Sequence, residues 1–270
     1  QIAAAEARHQ SMLCVGLDPE PARFPGAWKG DACRIHDFCA AIVEATKDLV
    51  LAFKPQIAYF AAQRAEDQLE RLMAHIRHVA PGVPVILDAK RGDIGSTAEQ
   101  YALEAFERYR ADAVTLSPFM GFVSVEPWLK YEDKGLFLLC RTSNPGGSDL
   151  QSQRLVTGDL LYEHIARLAA GPWNRSGQLG LVVGATYPAE IERVRELAPT
   201  LPLLIPGVGA QGGDALRHRV AQEVLGRAAH EPAAFDRPRD DALHAHRRGL
   251  GLVERLRLEQ LHLGVGGVGG

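Results

Sequence analysis

Val83-Pro84-Val85-Ile86-Leu87-Asp88-Ala89-Lys90-Arg91-Gly92-Asp93 is the stretch on which the reading of the fold turns. An apolar run, Val83–Leu87, passes directly into charged residues at Asp88, Lys90 and Asp93. A continuous apolar run, as opposed to an in/out alternation, marks a strand covered on both faces, and such strands belong to parallel sheets. Charges gathered at the C-terminal end of such a strand lie where a (β/α) barrel builds its active site. Six other runs share this character: Met12–Leu17, Leu49–Phe53, Ala113–Leu116, Leu136–Cys140, Leu179–Val183 and Leu201–Ile205. Helical patterns separate them, at Asp37–Val50, Ala61–Val79, Ser96–Arg110, Leu160–Ala170 and Pro188–Leu197, and Ser96-Thr97-Ala98-Glu99 spells a capping-box start.

Strand alternating with helix leaves two architectures, an open doubly wound sheet or a closed barrel. Seven strands before residue 214, with no linker or break in composition between them, suit a (β/α)8 TIM barrel, which typically needs roughly 250 residues. The barrel is therefore expected over residues 1–214. The eighth βα unit is doubtful, because residues 215–270 carry nine Arg and no Lys, five of the ten histidines and only weak apolar runs. This segment is expected to be divergent or poorly ordered.

Composition narrows the partners. The 270 residues hold 30 Lys and Arg against 33 Asp and Glu, a net charge of -3, so no overall basic field favours nucleic acid or an anionic membrane. No run nears the roughly 18 apolar residues of a membrane span, and Gln1–Gln10 lacks the basic start and apolar run of a signal peptide. A cytoplasmic protein acting on a small molecule is expected. Cys14, Cys33, Cys39 and Cys140 form no CxxC pair, so reduced thiols are expected in place of a disulfide or a metal site.

Chemistry is sought at the strand ends. The first run ends in Gly16-Leu17-Asp18-Pro19 and the second in Phe53-Lys54-Pro55. Asp88 and Lys90 are two residues apart on a strand, which puts both side chains on one face and opposite charges within reach. Lys54 and Asp93 are expected in the same cluster. Burying two carboxylates and two ammonium ions costs on the order of several kcal/mol per ion, so stability alone is a poor reason to build such a group. Leu203-Leu204-Ile205-Pro206-Gly207-Val208-Gly209-Ala210-Gln211-Gly212-Gly213-Asp214 runs from a strand into a glycine-rich turn whose amides suit a phosphate. Its formal GxGxxG match is a poor dinucleotide signal, since that fingerprint follows a first strand and this one follows the seventh. Arg141-Thr142-Ser143-Asn144-Pro145-Gly146 ends the fifth run and reads equally as a turn or as a polar edge for a ligand ring.

These segments together resemble the orotidine 5'-monophosphate decarboxylase family, in its longer bacterial (type 2) subfamily. The motifs are Asp88-Ala-Lys90-Arg-Gly-Asp93-Ile94-Gly-Ser-Thr97, Arg141-Thr-Ser143-Asn-Pro-Gly, Val183-Gly-Ala-Thr186 and Pro206-Gly-Val-Gly209-Ala-Gln211-Gly-Gly-Asp214. The first also occurs in Mg²⁺-dependent sugar-phosphate lyases of the same superfamily, which stay as an alternative, as does an inactive phosphonucleotide-binding protein. The resemblance implies a cofactor-free and metal-free decarboxylase of a phosphorylated pyrimidine nucleotide, acting as a homodimer with shared sites. Lys54, Asp88, Lys90 and Asp93 would form its alternating charge network, with Lys90 protonating C6 as CO₂ leaves. Asp93, Ile94 and Thr97 would come from the neighbouring subunit. Asp18 would bind the ribose, Ser143 the pyrimidine edge, and Pro206, Gly209 and Gln211 the phosphate side. The arginine that completes the family's phosphate grip is not found; Arg227 in Leu225-Gly226-Arg227 is the nearest candidate.

Overall fold

The computed structural model describes residues 11–207 together with Ala5, Glu6 and Arg8. These residues fall into two compact units, one of residues 11–88 with 108–111, the other of 89–107 with 112–207. The segment 215–270, with its predicted change of character, lies outside the described residues.

In the first unit β1 (Cys14–Leu17) and β2 (Ala52–Pro55) pair in parallel, with Gly16 opposite Lys54 and Leu17 opposite Pro55. Parallel bridges Phe53–Val85 and Gln56–Asp88 then join β2 to the start of β3 (Ile86–Arg91). The helices are α1 (Ile35–Thr46), α2 (Ile57–Ala61) and α3 (Glu66–Val79). α3 buries Leu69, Leu72, Met73 and Ile76, a stripe at the 3–4 spacing of one helix face, and it packs on α1, which buries Ile35, Cys39 and Val43. Each such side chain taken fully from water is worth about 1.5–3 kcal/mol. The helix predicted over Ala61–Val79 begins later, at Glu66, because α2 closes at Ala61. Arg64 takes a left-handed φ of 53°, and Ala65 N donates to Phe60 O (3.0 Å), a bond that closes one helix before the next begins.

The second unit is built on a sheet of order β3-β4-β5-β6-β7, with β4 (Ala113–Leu116), β5 (Gly135–Arg141), β6 (Leu179–Val183) and β7 (Leu203–Leu204). The pairs β4–β5, β5–β6 and β6–β7 are all parallel. Every residue of β4 and β6 is buried, as continuous apolar runs require. α4 (Gly95–Leu103) continues into a π turn, Glu104–Arg108, and α5 (Leu161–Ala170) packs on α6 (Pro188–Leu197). The predicted capping box is not used. Ile94 stands at the N-cap of α4 without a side-chain bond, and Glu99 instead accepts from Lys130 Nζ at 2.5 Å. No helix among the described residues is long and apolar enough to cross a membrane.

β2 and β3 begin and end later than their apolar runs alone suggest. β2 takes in Lys54 and β3 takes in Asp88 and Lys90, because their polar ends still make ladder contacts beyond the last apolar residue.

Candidate active site

Adjacent strand ends bring Lys54 and Asp88 together. Lys54 Nζ donates to Asp88 Oδ2 at 2.9 Å, with only 15% and 9% of the two side chains exposed. The end of β2 is tied to that of β1 by Gln56 N donating to Leu17 O (3.2 Å). Burial pulls the Lys54 ammonium down, but the charge and hydrogen bond of Asp88, with smaller help from Asp18 and Cys14, outweigh it and hold the group above its ordinary value. Cys14 on β1 feels the same pair. Burial pushes its thiol up to about 11, with Lys54 opposing and Asp88 adding. Asp18, one residue past β1, is exposed and adds to the field on Lys54 in this unit.

Lys90, near the end of β3, has a φ of +47°, in the left-handed region, so regular strand geometry does not run through it. The irregularity is held from β4. Thr115 Oγ1, in a residue 1% exposed, accepts from both Ala89 N (3.1 Å) and Lys90 N (3.0 Å), and Ser117 N donates to Arg91 O (2.7 Å). Thr115 was not among the predicted site residues. Its signal was a lone hydroxyl inside Ala113-Val114-Thr115-Leu116.

Past the strand, Asp93 Oδ1 accepts from Ile94 N (2.8 Å), Ile94 is half exposed, and Thr97 is exposed in the first turn of α4. Arg91 turns its guanidinium onto Glu104 Oε2 (2.7 Å) and over the Tyr101 ring (4.5 Å to the centroid). After β5, Ser143 is partly buried, and its carbonyl accepts from Thr186 Oγ1 (3.0 Å) in the loop after β6. The close approach of these two loops needs Gly184, because a Cβ there would come within 2.5 Å of Ser143 N and Cα. Pro206 follows β7, and its carbonyl accepts from Ala185 N (2.8 Å). Gly209, Gln211 and Arg227 lie outside the described residues. No group of three or more His, Cys, Asp or Glu is placed to hold a metal among the described residues.

A parallel α/β chain with a desolvated ammonium–carboxylate pair at neighbouring strand ends, and polar loops after the strands that follow, has the build of an α/β enzyme. Residues 11–228 match the model of the orotidine 5'-phosphate decarboxylase / HUMPS family. The orotidine 5'-phosphate decarboxylase of Polaromonas naphthalenivorans is 82% identical over 217 residues, 79% of this chain and 77% of its own length. That of Leptothrix cholodnii is 78% identical over 218 residues, 80% of this chain and 77% of its own. The solved structure of Leishmania donovani OMP decarboxylase superposes with a TM-score of 0.69 at 44% identity, over 77% of this chain and 78% of that one. The chain belongs to the orotidine 5'-phosphate decarboxylase / HUMPS family, and its fold is the family's (β/α)8 barrel.

Proposed function

We infer that the chain is a carboxy-lyase that converts orotidine 5'-phosphate to UMP and CO₂ in pyrimidine biosynthesis, and that it does so with fixed charges and no metal or organic cofactor. The reaction breaks the bond from C6 to the carboxylate. CO₂ leaves, the electron pair stays on C6, and a proton must replace it. Lys90 is assigned as the donor of that proton. Nothing delocalises the C6 carbanion, so the rate must come from groups that favour the transition state over the bound carboxylate. The Lys54–Asp88 pair, 2.9 Å apart and desolvated, is the observation that carries this reading. Asp88 accepts from Lys54, and an anion beside the substrate carboxylate favours loss of the latter as neutral CO₂. Asp18 is assigned to the ribose hydroxyls, Ser143 to the pyrimidine edge, and Pro206, Gly209 and Gln211 to the phosphate.

Asp93, Ile94 and Thr97 are assigned to the site of a second copy, which makes the working unit a homodimer. Half-exposed Ile94 on the second unit, with Phe119, Met120 and Val123 of that same unit also exposed, supports an apolar face that a partner covers. The reaction is placed in the cytoplasm, in keeping with four cysteines that form no disulfide.

The test is release of CO₂ from orotidine 5'-phosphate by the purified chain, with and without EDTA. Turnover that EDTA leaves unchanged is expected. Turnover abolished by EDTA and restored by Mg²⁺ would refute the cofactor-free reading, and absence of any turnover would refute the activity.

A further inference from the structure

Arg141 is a puzzle on energetic grounds. It closes β5 with only 1% of its surface exposed, and taking a guanidinium out of water is costly unless its donors are well met. Its countercharge is poor. Glu190 Oε1 stands 3.8 Å from Nε, and that Nε has no hydrogen-bond partner. The other two nitrogens turn to the loop that follows: Nη1 donates to Gln151 Oε1 (3.3 Å) and Thr142 O (3.4 Å), and Nη2 donates to Ser148 Oγ (2.9 Å). The guanidinium also lies over the Tyr187 ring, 3.7 Å from its centroid.

Gln151 passes this arrangement back along the chain. Its Oε1 accepts from Thr142 N (2.9 Å) and its Nε2 donates to Thr142 Oγ1 (2.9 Å). The loop is wrapped so closely that a Cβ on Gly147 would come within 2.9 Å of Arg141 Nη1, Gln151 Oε1 and Thr142 Oγ1. The residue before Ser143 is thus held by the Arg141–Gln151 pair, and the carbonyl of Ser143 itself by Thr186 from the β6 loop. A packed apolar side chain would stabilise this region at least as well as a half-satisfied arginine. What the flat, forked guanidinium adds is geometry, because two donors and a stacked face fix one orientation of the loop.

We propose that Arg141 is a positioning residue that sets the loop 142–151 in advance so that Ser143 meets the pyrimidine edge of the nucleotide. The proposal rests on the assignment of Ser143 to the base, and it predicts a loss confined to that end of the ligand. The probes are UMP and ribose 5-phosphate, which share the sugar phosphate and differ by the base. Dissociation constants are measured for the full chain and for Arg141→Met, Arg141→Lys, Gln151→Met and Ser143→Ala. Gln151→Met should weaken UMP about tenfold and Arg141→Met more, with ribose 5-phosphate held within about twofold. Arg141→Lys should recover only part of the loss, since an ammonium cannot fork. Should Arg141→Met fail to fold, Gln151→Met and Ser148→Ala carry the same comparison. Equal weakening of both probes would overturn the proposal, by showing a general structural role. Unchanged UMP affinity in Gln151→Met and Arg141→Lys beside a weakened Ser143→Ala would overturn the positioning role alone. Unchanged UMP affinity in Ser143→Ala would overturn the Ser143 assignment and the proposal with it.

Discussion

Replacing Lys54 with Met should cost the protein a large part of its stability, and replacing Asp88 at the same time should return most of it. The pair is 2.9 Å apart with side chains 15% and 9% exposed, so Lys54→Met takes this cation away from a desolvated carboxylate. Breaking a buried pair in this way costs about 3–5 kcal/mol, whereas exchanging both partners for apolar residues of similar volume is near neutral or stabilising. With a urea slope of about 2 kcal/mol/M, the single variant should unfold roughly 2 M earlier than the parent. Lys54→Met/Asp88→Leu should unfold within about 0.5 M of it, on the same reasoning, while showing no turnover. The pH dependence has a definite sign. The folded Lys54 sits above its ordinary 10.5, so its contribution is complete below about pH 10.5 and is lost only as pH rises through the higher folded value. The gap between parent and Lys54→Met should therefore be the same at pH 7 and pH 9. The assay is urea unfolding followed by circular dichroism, with the four proteins of the double-mutant cycle compared at each pH. A single variant within about 1 kcal/mol of the parent, or a double variant no more stable than the single, would refute the argument that the pair is a stability cost retained for function.

Lys90→Ala should abolish turnover and leave the circular dichroism spectrum intact; a residual rate above about a tenth of the parent, a barrier change under about 1.4 kcal/mol, would remove Lys90 from the role of proton donor. Mixing inactive Lys90→Ala and Asp93→Ala proteins should restore activity, because a mixed dimer gathers both lesions in one site and leaves the other whole; no recovery after demonstrated subunit exchange would assign Asp93 to its own chain. At pH 8 a thiol reagent should find Cys33 quickly and the other three slowly, since burial pushes Cys14 up to about 11 and Cys39 and Cys140 up to about 12 while Cys33 is exposed. A fast phase of more than one thiol in the folded protein would contradict that burial. Gly184→Ala should displace Ser143, which its Cβ would meet at 2.5 Å, and weaken UMP at least tenfold or lower the melting temperature by several degrees; full retention of both would show that the β5 and β6 loops separate freely.

Much of the fold was legible because burial on both faces leaves a plain mark. Ala113–Leu116 and Leu179–Val183 are strands with the predicted limits, since a short, mostly apolar run without helical periodicity suits a strand covered on both faces. Pro188–Leu197 likewise has its predicted limits, with proline at the start where the missing N–H costs nothing. The late start, at Glu66, of the helix predicted over Ala61–Val79 was not legible: Arg64 is a good helix former, yet it takes a left-handed φ of 53° between the buried Phe60 and Ala65. That Lys54 and Asp88 meet was legible, because charge at the end of an apolar strand has few structural uses. Arg141 stood out only as the first residue of a segment read as a turn, a polar edge or a family motif, because the sequence gives no sign that its guanidinium is buried or that residues 142–151 close around it.

The irregular backbone at Lys90 has a cause of its own. Period-two reasoning assumes that a strand continues regularly to its end, and for Ile86, Leu87 and Asp88 burial is consistent with that. At Lys90 the backbone turns left-handed, a conformation that costs a residue with a Cβ about 1–2 kcal/mol. Such strain persists only where neighbours over-determine it, and here the Thr115 hydroxyl accepts two successive amides, Ala89 N and Lys90 N, where regular strand geometry would supply separate carbonyls. Both halves of this device are visible in the sequence only as exceptions, a lysine past the end of an apolar run and a threonine inside one. A local rule broken at a residue whose neighbours are built to hold the break is the physical signature of a position fixed for its chemistry. On that ground the left-handed backbone at Lys90 supports its assignment as the proposed proton donor.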